Sequence, residues 1–374
     1  MSEYLRASTY DGAMQTMGEP RGRALFCAGR RLSILVAVLG SLALAACEPL
    51  PPKPVFTVDT YLDGSDIDPG DGVCESTTEG GACTLRAAIE EANALGRADV
   101  KLPEDMYRVG DEASDLGALT VTGEVHIKST GADPAHIFGE LAEPVEIEVV
   151  GTLVVDRTEF LDVFIRVDGT LLMVRSAARH QWPHAHQTLH VTSTGTAVLA
   201  HSELGGGGTT AAVQSDGNLH LAYVSVVSSG SPAVHTGPDG STSTMASELW
   251  RTKWSDDFTV DPDAEVCSGT PPTSLGYNYL FNSTCALGHP TDIEEVTVTE
   301  HPSGSWTADP TPYDKIPFGE AGCGTGHGSD MYGSPRPAAA VPGAEALCDI
   351  GAHELQPEAP SERWSPTTGA TGPN

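Results

Sequence analysis

Gly151-Thr-Leu-Val-Val155, Gly169-Thr-Leu-Leu-Met173, Gly195-Thr-Ala-Val-Leu199, Gly217-Asn-Leu-His-Leu221 and Gly240-Ser-Thr-Ser-Thr244 are five versions of one short phrase. They start 18, 26, 22 and 23 residues apart, the spacing of a solenoid repeat. Counted from each glycine, the second position reads Leu153, Leu171, Ala197, Leu219 and Thr242, and the fourth Val155, Met173, Leu199, Leu221 and Thr244. The seventh reads Thr158, Ser176, Ser202, Val224 and Ser247, and the ninth Phe160, Ala178, Leu204, Val226 and Leu249. Another alternating run precedes each glycine, as in Ile165-Arg-Val167, Leu189-His-Val191 and Ala211-Ala-Val213. Period two marks strands with one buried face. Two or three such strands per coil, with like residues stacked coil upon coil, predict an all-β chain wound as a right-handed parallel β-helix. A short capping helix is expected in front of it and a disulfide-containing cap behind.

The rest of the chain is read outward from that core. Residues 97–260 carry the repeats, with two less regular coils before Gly151 whose strands are Leu119-Thr-Val121, Val125-His-Ile127 and Val145-Glu-Ile147-Glu-Val149. The formal net charge of −31, with 41 glycines and 27 prolines among 374 residues, argues against nucleic acid and anionic lipid surfaces as direct partners, since both need a basic footprint. It equally describes a solvated, soluble acidic surface.

Residues 1–46 read as an export leader. Arg21, Arg23, Arg30 and Arg31 precede the apolar run Leu32–Leu44, which is short for a membrane span. The leader has two internal candidate starts, Met14 and Met17. It ends in Leu44-Ala-Ala-Cys47, which resembles the bacterial lipobox, and that resemblance implies a lipid on the thiol of Cys47 and a membrane anchor. The proline-rich stretch at 47–55 is a stiff tether. With Glu48 after the cysteine, the expected location is the bacterial envelope, at the outer membrane or cell surface. An ordinary secretory signal is the competing reading.

Six cysteines follow Cys47. Pairing neighbours gives Cys74–Cys83, Cys267–Cys285 and Cys323–Cys348, one bridge before the repeats and two after. Six cysteines allow fifteen pairings, and the sequence does not choose among them. The absence of any C-x-x-C spacing argues against structural zinc.

In residues 56–96, Thr84 is a good N-cap, Gly96 a good C-terminal stop, and Leu85, Ala88, Ile89, Ala92 and Leu95 form one apolar stripe. This helix suits a lid over open strand edges. The stretch Phe56–Asn93 resembles the CSLREA domain of bacterial surface proteins, with Cys83-Thr-Leu-Arg-Ala-Ala88 standing for the motif and Pro69-Gly-Asp-Gly-Val-Cys74 before it. The resemblance implies a domain that precedes parallel β-helix repeats. Asp63, Asp66, Asp68 and Asp71 offer oxygen ligands for calcium, although no EF-hand spacing is present. The competing reading is a turn whose carboxylates cap backbone amides.

Ser274-Leu-Gly-Tyr-Asn278, Cys285, Asp330-Met-Tyr-Gly333-Ser-Pro-Arg336-Pro337 and Cys348-Asp-Ile-Gly-Ala-His-Glu354 resemble the choice-of-anchor Q domain, with His353 where that family carries an aromatic residue. The resemblance makes residues 261–356 a C-terminal cap in which Arg336 pairs with Asp349 or Glu354. The tail 357–374 has a disordered composition.

For function, the sixth position of the coils (Arg157, Arg175, His201, Tyr223) is read as an outward ladder beside an eighth-position column containing Glu159, Glu203 and Glu248. The ladder resembles the sugar-binding face of β-helix polysaccharide lyases and hydrolases; cross-strand charge pairing accounts for it equally well. The over-long coil adds Arg179, Trp182, His184 and His186, a loop placed to contact a ligand. Its three histidines also raise zinc or copper. Were the chain an enzyme, Arg175, Arg179 and Glu203 would be the catalytic candidates. Asp156, Asp162 and Asp168 fall at different coil positions and do not converge, and no nucleophile, phosphate or metalloprotease motif occurs. The sequence therefore favours a non-catalytic protein, adhesin-like and binding a glycan or a protein partner, over a carbohydrate-active enzyme. A purely structural envelope component is the third possibility.

Overall fold

The computed structural model describes residues 52–354 except 79, 111–115, 140–143, 181–185, 253–264, 281–282, 295–296, 301–305, 310–311, 314, 325–328 and 338–345. The leader, Cys47, Trp182, His184 and the tail lie outside the described residues. The compact unit that holds the described strands begins at Pro54.

The fold is all-β and solenoid-like: short strands, almost all paired in parallel, with a single described α-helix. Each full coil contributes to three faces. The strand after the glycine forms the first face, in the register Arg97, Glu124, Thr152, Thr170, Thr196, Asn218, Ser241. The next strand forms the second face, in the register Met106, His136, Glu159, Ala177, Glu203, Ser225, Glu248, Tyr279. The third face stacks Leu119–Val121, Val145–Val149, Val163–Val167, Leu189–Val191, Val213–Ser215, Val234–Thr236 and Cys267–Gly269.

The register shows why glycine opens each coil. Gly96 and Gly123 precede the second and third strands of the same face, which starts at Val55–Thr57, so the glycine column begins two coils before Gly151. A Cβ at Gly151 would meet the carbonyl oxygens of Gly123 and Thr122, and one at Gly169 those of Gly151 and Val150. Gly195, Gly217 and Gly240 face carbonyls of the previous coil in the same way. The close approach lets Thr170 N–H reach Gly151 O at 2.8 Å and Asn218 N–H reach Gly195 O at 3.0 Å.

Inside, the second, fourth and ninth positions fill the core: Leu153, Val155, Phe160, Leu171, Leu199, Leu204, Leu219, Val226 and Leu249 are essentially inaccessible. Each such aliphatic or aromatic side chain contributes about 1.5–3 kcal/mol by leaving water. The sixth position is a corner. Arg157, Arg175, His201, Tyr223 and Ala246 have φ of 57°, 49°, 49°, 55° and 50°, a left-handed turn repeated in five successive coils. Each costs about 1–2 kcal/mol of backbone preference. The hydroxyl column at position seven offsets this. Ser176 Oγ donates to Val174 O at 2.8 Å and accepts from Thr158 N–H at 3.1 Å, while Ser202 Oγ donates to Ala200 O and accepts from Ser176 N–H. Ser247 repeats the pattern with Met245 O and Val224 N–H.

The helix Leu85–Leu95 has Thr84 as N-cap, its hydroxyl accepting from Ala87 N–H, and Gly96 at φ 81° as its stop. Leu85, Ala88, Ile89 and Ala92 are buried, whereas Leu95 is exposed. Asn93 ties the helix to the next coil, accepting from Thr122 and Gly123 N–H and donating to Thr120 O. Disulfides join Cys74 to Cys83, Cys267 to Cys285 and Cys323 to Cys348. No described helix is long and apolar enough to cross a membrane.

The region expected to cap the C-terminal end divides into two. Thr273–Ser274 and Tyr279–Leu280 extend the first and second faces by one more coil. Residues 329–337 and 346–354 instead lie across the outside of the second face. Gly351 N–H donates to Ala246 O at 2.8 Å, Ala352 N–H to Ser225 Oγ at 3.0 Å, and Met331 and Ala352 pack on Ala177.

Candidate functional site

That overlay encloses a polar cluster on the outer side of the second face. Alternation points Glu159, Ala177, Glu203, Ser225 and Glu248 outward in one column, and Arg179 and Gly205 in the next. Arg179 lies between two glutamates: Nη1 is 3.3 Å from Glu159 Oε1, and Nε is 3.0 Å from Glu203 Oε1. Its stem lies beside Gly205, where a Cβ would make an ordinary 3.5 Å contact with Arg179 Cγ. At one end His136 Nδ1 lies 3.0 Å from Glu159 Oε2; towards the other, His353 Nε2 lies 3.3 Å from Glu203 Oε2.

Burial and pairing set the protonation states. Burial alone would raise Glu203, but His353 and Arg179 outweigh it and hold the carboxyl below its ordinary value. Burial likewise opposes, and His136 and Arg179 overcome it, at Glu159. His353 is raised: burial works against the cation, and the bond and charge of Glu203 prevail. His136 is raised by its hydrogen bond to Glu159. Among the described residues Glu248 has no cationic partner this close. Burial pushes it up to about 7, although Ser225 Oγ donates to it at 2.8 Å. Glu203 and Glu248 are thus two carboxyls with opposed protonation, two strands apart, or about 9.6 Å at the usual strand spacing. A charged base and a neutral acid at such a distance suit an inverting glycosidase. Here Ala352 N–H occupies Ser225 between them, and a Cβ on Gly351 would strike Glu248, so the closed arrangement has no room for a substrate.

At the margin of the overlay is a small, shallow pocket of about 80 Å³, lined by Glu159, Arg175, Arg179, Pro134, Met331 and Tyr332 among others. Tyr332 is 56% exposed, with its ring stacked on His353 at 5.1 Å.

The sequence-derived candidates separate in space. Arg179, Glu203 and Arg175 border the cluster or its pocket. Arg175 makes a bidentate pair with Asp156, at 2.6 and 2.8 Å from Nη2 and 3.0 Å from Nε. Arg157 donates to Gly131 O and Ala132 O, bracing the preceding corner. His201 and Tyr223 correct the reading of an outward ladder. They are 2% and 0% exposed, stacked at 5.0 Å, with the Arg336 guanidinium 4.6 Å above the Tyr223 ring. Position six is a corner, and residues 329–337 and 346–354 cover it at these coils. His186 packs edge-on to His180 at 5.6 Å, while its neighbours Trp182 and His184 are outside the described residues.

The aspartates of the N-terminal module do not converge. Asp63 is buried and holds Arg86 through both oxygens at 2.9 and 3.0 Å, while also accepting from Gly110 N–H. Asp66 and Asp71 accept from Asp68 and Val73 N–H, which are turn contacts. Among the described residues no three acidic, histidine or cysteine side chains form a group able to hold a metal ion.

The sequence reading missed His136, Tyr332 and His353 as site residues. The small residues Ala177 and Ser225, alternating with glutamates in the eighth-position column, are the signal that something packs there. No protein-family model, curated protein or solved structure matches the chain.

Proposed function

We propose that the chain is a non-catalytic glycan-binding protein of the bacterial envelope, its stacked strands closing into a right-handed parallel β-helix and Cys47 carrying a lipid anchor. The observation that carries the binding reading is Tyr332, an exposed aromatic ring at the mouth of a pocket floored by Arg175, Arg179 and Glu159. An aromatic face takes the apolar side of a sugar ring, and fixed charged donors and acceptors take its hydroxyls. The acids and bases of the cluster are occupied with one another, which favours binding over turnover. The lipobox-like Leu44–Cys47 supports the anchor, and the resemblances of residues 56–96 to a CSLREA domain and of 261–356 to a choice-of-anchor Q domain support a surface role.

The test is a glycan array followed by calorimetry on the hits, with Tyr332→Ala as control. Loss of binding by about tenfold or more at unchanged melting temperature is the expected result; undiminished binding overturns the pocket assignment. Release of unsaturated or reducing sugar from a polysaccharide panel would replace this reading with the enzyme. Palmitate incorporation lost in Cys47→Ser tests the anchor separately.

A further inference from the structure

Residues 329–337 and 346–354 make few attachments to the face they cover but are tightly joined to each other. Buried Arg336 donates to the carbonyls of Asp349 at 3.1 Å, Gly351 at 2.7 Å and His353 at 2.8 Å, and its Nε lies 3.6 Å from Glu354. Asp330 accepts from the N–H groups of Tyr332, Ser334 and Glu354. Cys348 is bonded to Cys323 and forms an isolated antiparallel bridge with Ile316. The two stretches therefore move as one strap. Its direct polar contacts with the face include Gly351 to Ala246, Ala352 to Ser225, His353 to Glu203 and Tyr332 to Arg179, with Arg336 over Tyr223.

We propose that this strap is a pH-controlled cover: it stays on the second face in mildly acid medium and lifts as the pH rises past neutrality, uncovering Glu203, Ser225 and Glu248. Docking places Glu248 beneath Gly351, shut off from water, with Ser225 as hydroxyl donor. Among the described residues, the charged and titratable groups around it and His353 are Asp349, Arg336, Asp330, Tyr332 and Glu354 on the strap, and Glu203, Arg179 and Glu159 on the face, with Tyr223 under Arg336 and within electrostatic reach of Tyr277.

The docked and released states differ in the protons they hold. Once released into water, the Glu248 carboxyl returns towards 4.5, whereas docked it keeps its proton to about 7. Docking therefore carries an extra proton across that interval, and rising pH opposes it by up to tenfold per unit. His353 acts in the same direction. Its bond to Glu203 is fully present below the ordinary histidine value of 6.5 and is lost as the pH climbs through its raised docked value. Glu203 opposes only at the acid end, below the ordinary 4.5, where protonation weakens its hold on His353 and Arg179. The strap is thus tightest near pH 4.5 and loosens progressively as the pH rises to neutrality and beyond.

Release of the strap needs no ligand and stands or falls apart from glycan binding. Hydrogen exchange read by mass spectrometry on the whole protein, corrected for intrinsic rates, compares the peptide covering 346–354 with the third-face strand Val163–Val167 at about pH 5.5 and about pH 8. Protection of 346–354 is expected to fall about tenfold or more while Val163–Val167 is unchanged, and Glu248→Gln, which stays neutral, is expected to keep most of that protection. An equal change in both peptides, or a fall in Glu248→Gln as large as in the parent, overturns the proposal. Should Glu248→Gln not fold, the parent comparison decides together with His353→Gln, which is expected to lower protection at the acid pH.

Discussion

His353 Nε2 and Glu203 Oε2 lie 3.3 Å apart although 150 residues separate them in the chain, and this contact joins the covering strap to the stacked sheet. Glu203 serves two cations at once, His353 above and Arg179 beside it. Removing its charge leaves Arg179 with Glu159 alone among carboxylates and His353 without an acceptor there. Glu203→Gln is expected to lower stability by about 1–3 kcal/mol, the range for a charge-assisted bond with partners that keep some access to water. Urea unfolding near neutral pH checks it, and an unchanged midpoint would reduce the network to ornament.

The same carboxylates set the acid limit. Glu159 and Glu203 both titrate below their ordinary value of 4.5 in the folded protein. Their contribution is present above 4.5 and is lost as the pH falls through the depressed folded values. Melting temperature is therefore expected to drop steeply below about pH 4.5. In the Glu159→Gln, Glu203→Gln double variant that slope is expected to flatten, even though the protein is less stable at neutrality. A slope identical to the parent's would assign the acid limit to other groups.

Gly169→Ala tests the glycine column. The added methyl would meet the carbonyl oxygens of Gly151 and Val150, which are backbone atoms held in a ladder and cannot step aside. A loss of about 1–3 kcal/mol or more is expected, as for an overpacked interior. Gly205→Ala is the matched control, in a strand where the new carbon would lie at an ordinary 3.5 Å from Arg179 Cγ. It is expected to stay within about 1 kcal/mol of the parent. Equal effects in chemical denaturation would sink the case for close approach.

The parts legible in the sequence are those written in local periodicity. The stacking of Leu153, Leu171, Ala197 and Leu219, and of Val155, Met173, Leu199 and Leu221, follows the count from each glycine. Gly96 and Gly123 escaped that count because long loops stretch their coils to 27 and 28 residues and Gly96 also ends the helix. The corner was half legible. Buried positions run two, four, seven, nine, and that slip in phase requires one residue between strands that belongs to neither. Reading His201 and Tyr223 there as outward ignored both the turn and the strap. The strap itself has no periodicity. It is placed by complementarity between Ala352 and Ser225, and between His353 and Glu203, more than a hundred residues apart, which no local window contains.

Ser176→Ala addresses the hydroxyl column at the corner. The variant loses the bond to Val174 O and leaves the buried amide of Thr158 without its acceptor at 3.1 Å. An unsatisfied buried donor costs about 1–3 kcal/mol. Val224 already interrupts the column naturally, so Ser202 does not pass the bond onward, and the damage is expected to remain within the coils on either side of residue 176. Faster exchange of the Thr158 amide with little change at Ser247 is the result that checks it.

The last described bridge at the end of the stacked coils gives the final prediction. Cys267 lies in the outermost third-face strand, paired to Val234, and Cys285 in a short helical turn 18 residues on. Thr284 Oγ1 accepts from Val266 N–H at 2.9 Å, so the bridge and one hydrogen bond hold the same join. Closing a loop of this size is worth about 3 kcal/mol in the unfolded chain. In a stack where each coil touches only its neighbours, that loss falls on the end and not evenly along the chain. The Cys267→Ser, Cys285→Ser double variant is therefore expected to fray from Tyr279–Leu280 back towards Val234–Thr236, while Thr152–Asp156 and Thr170–Val174 keep the parent's exchange rates. Uniform acceleration through all coils would mean that the stack unfolds as one unit; no acceleration anywhere would mean that the Thr284 bond and the packing of Leu280 hold the end without the sulfurs.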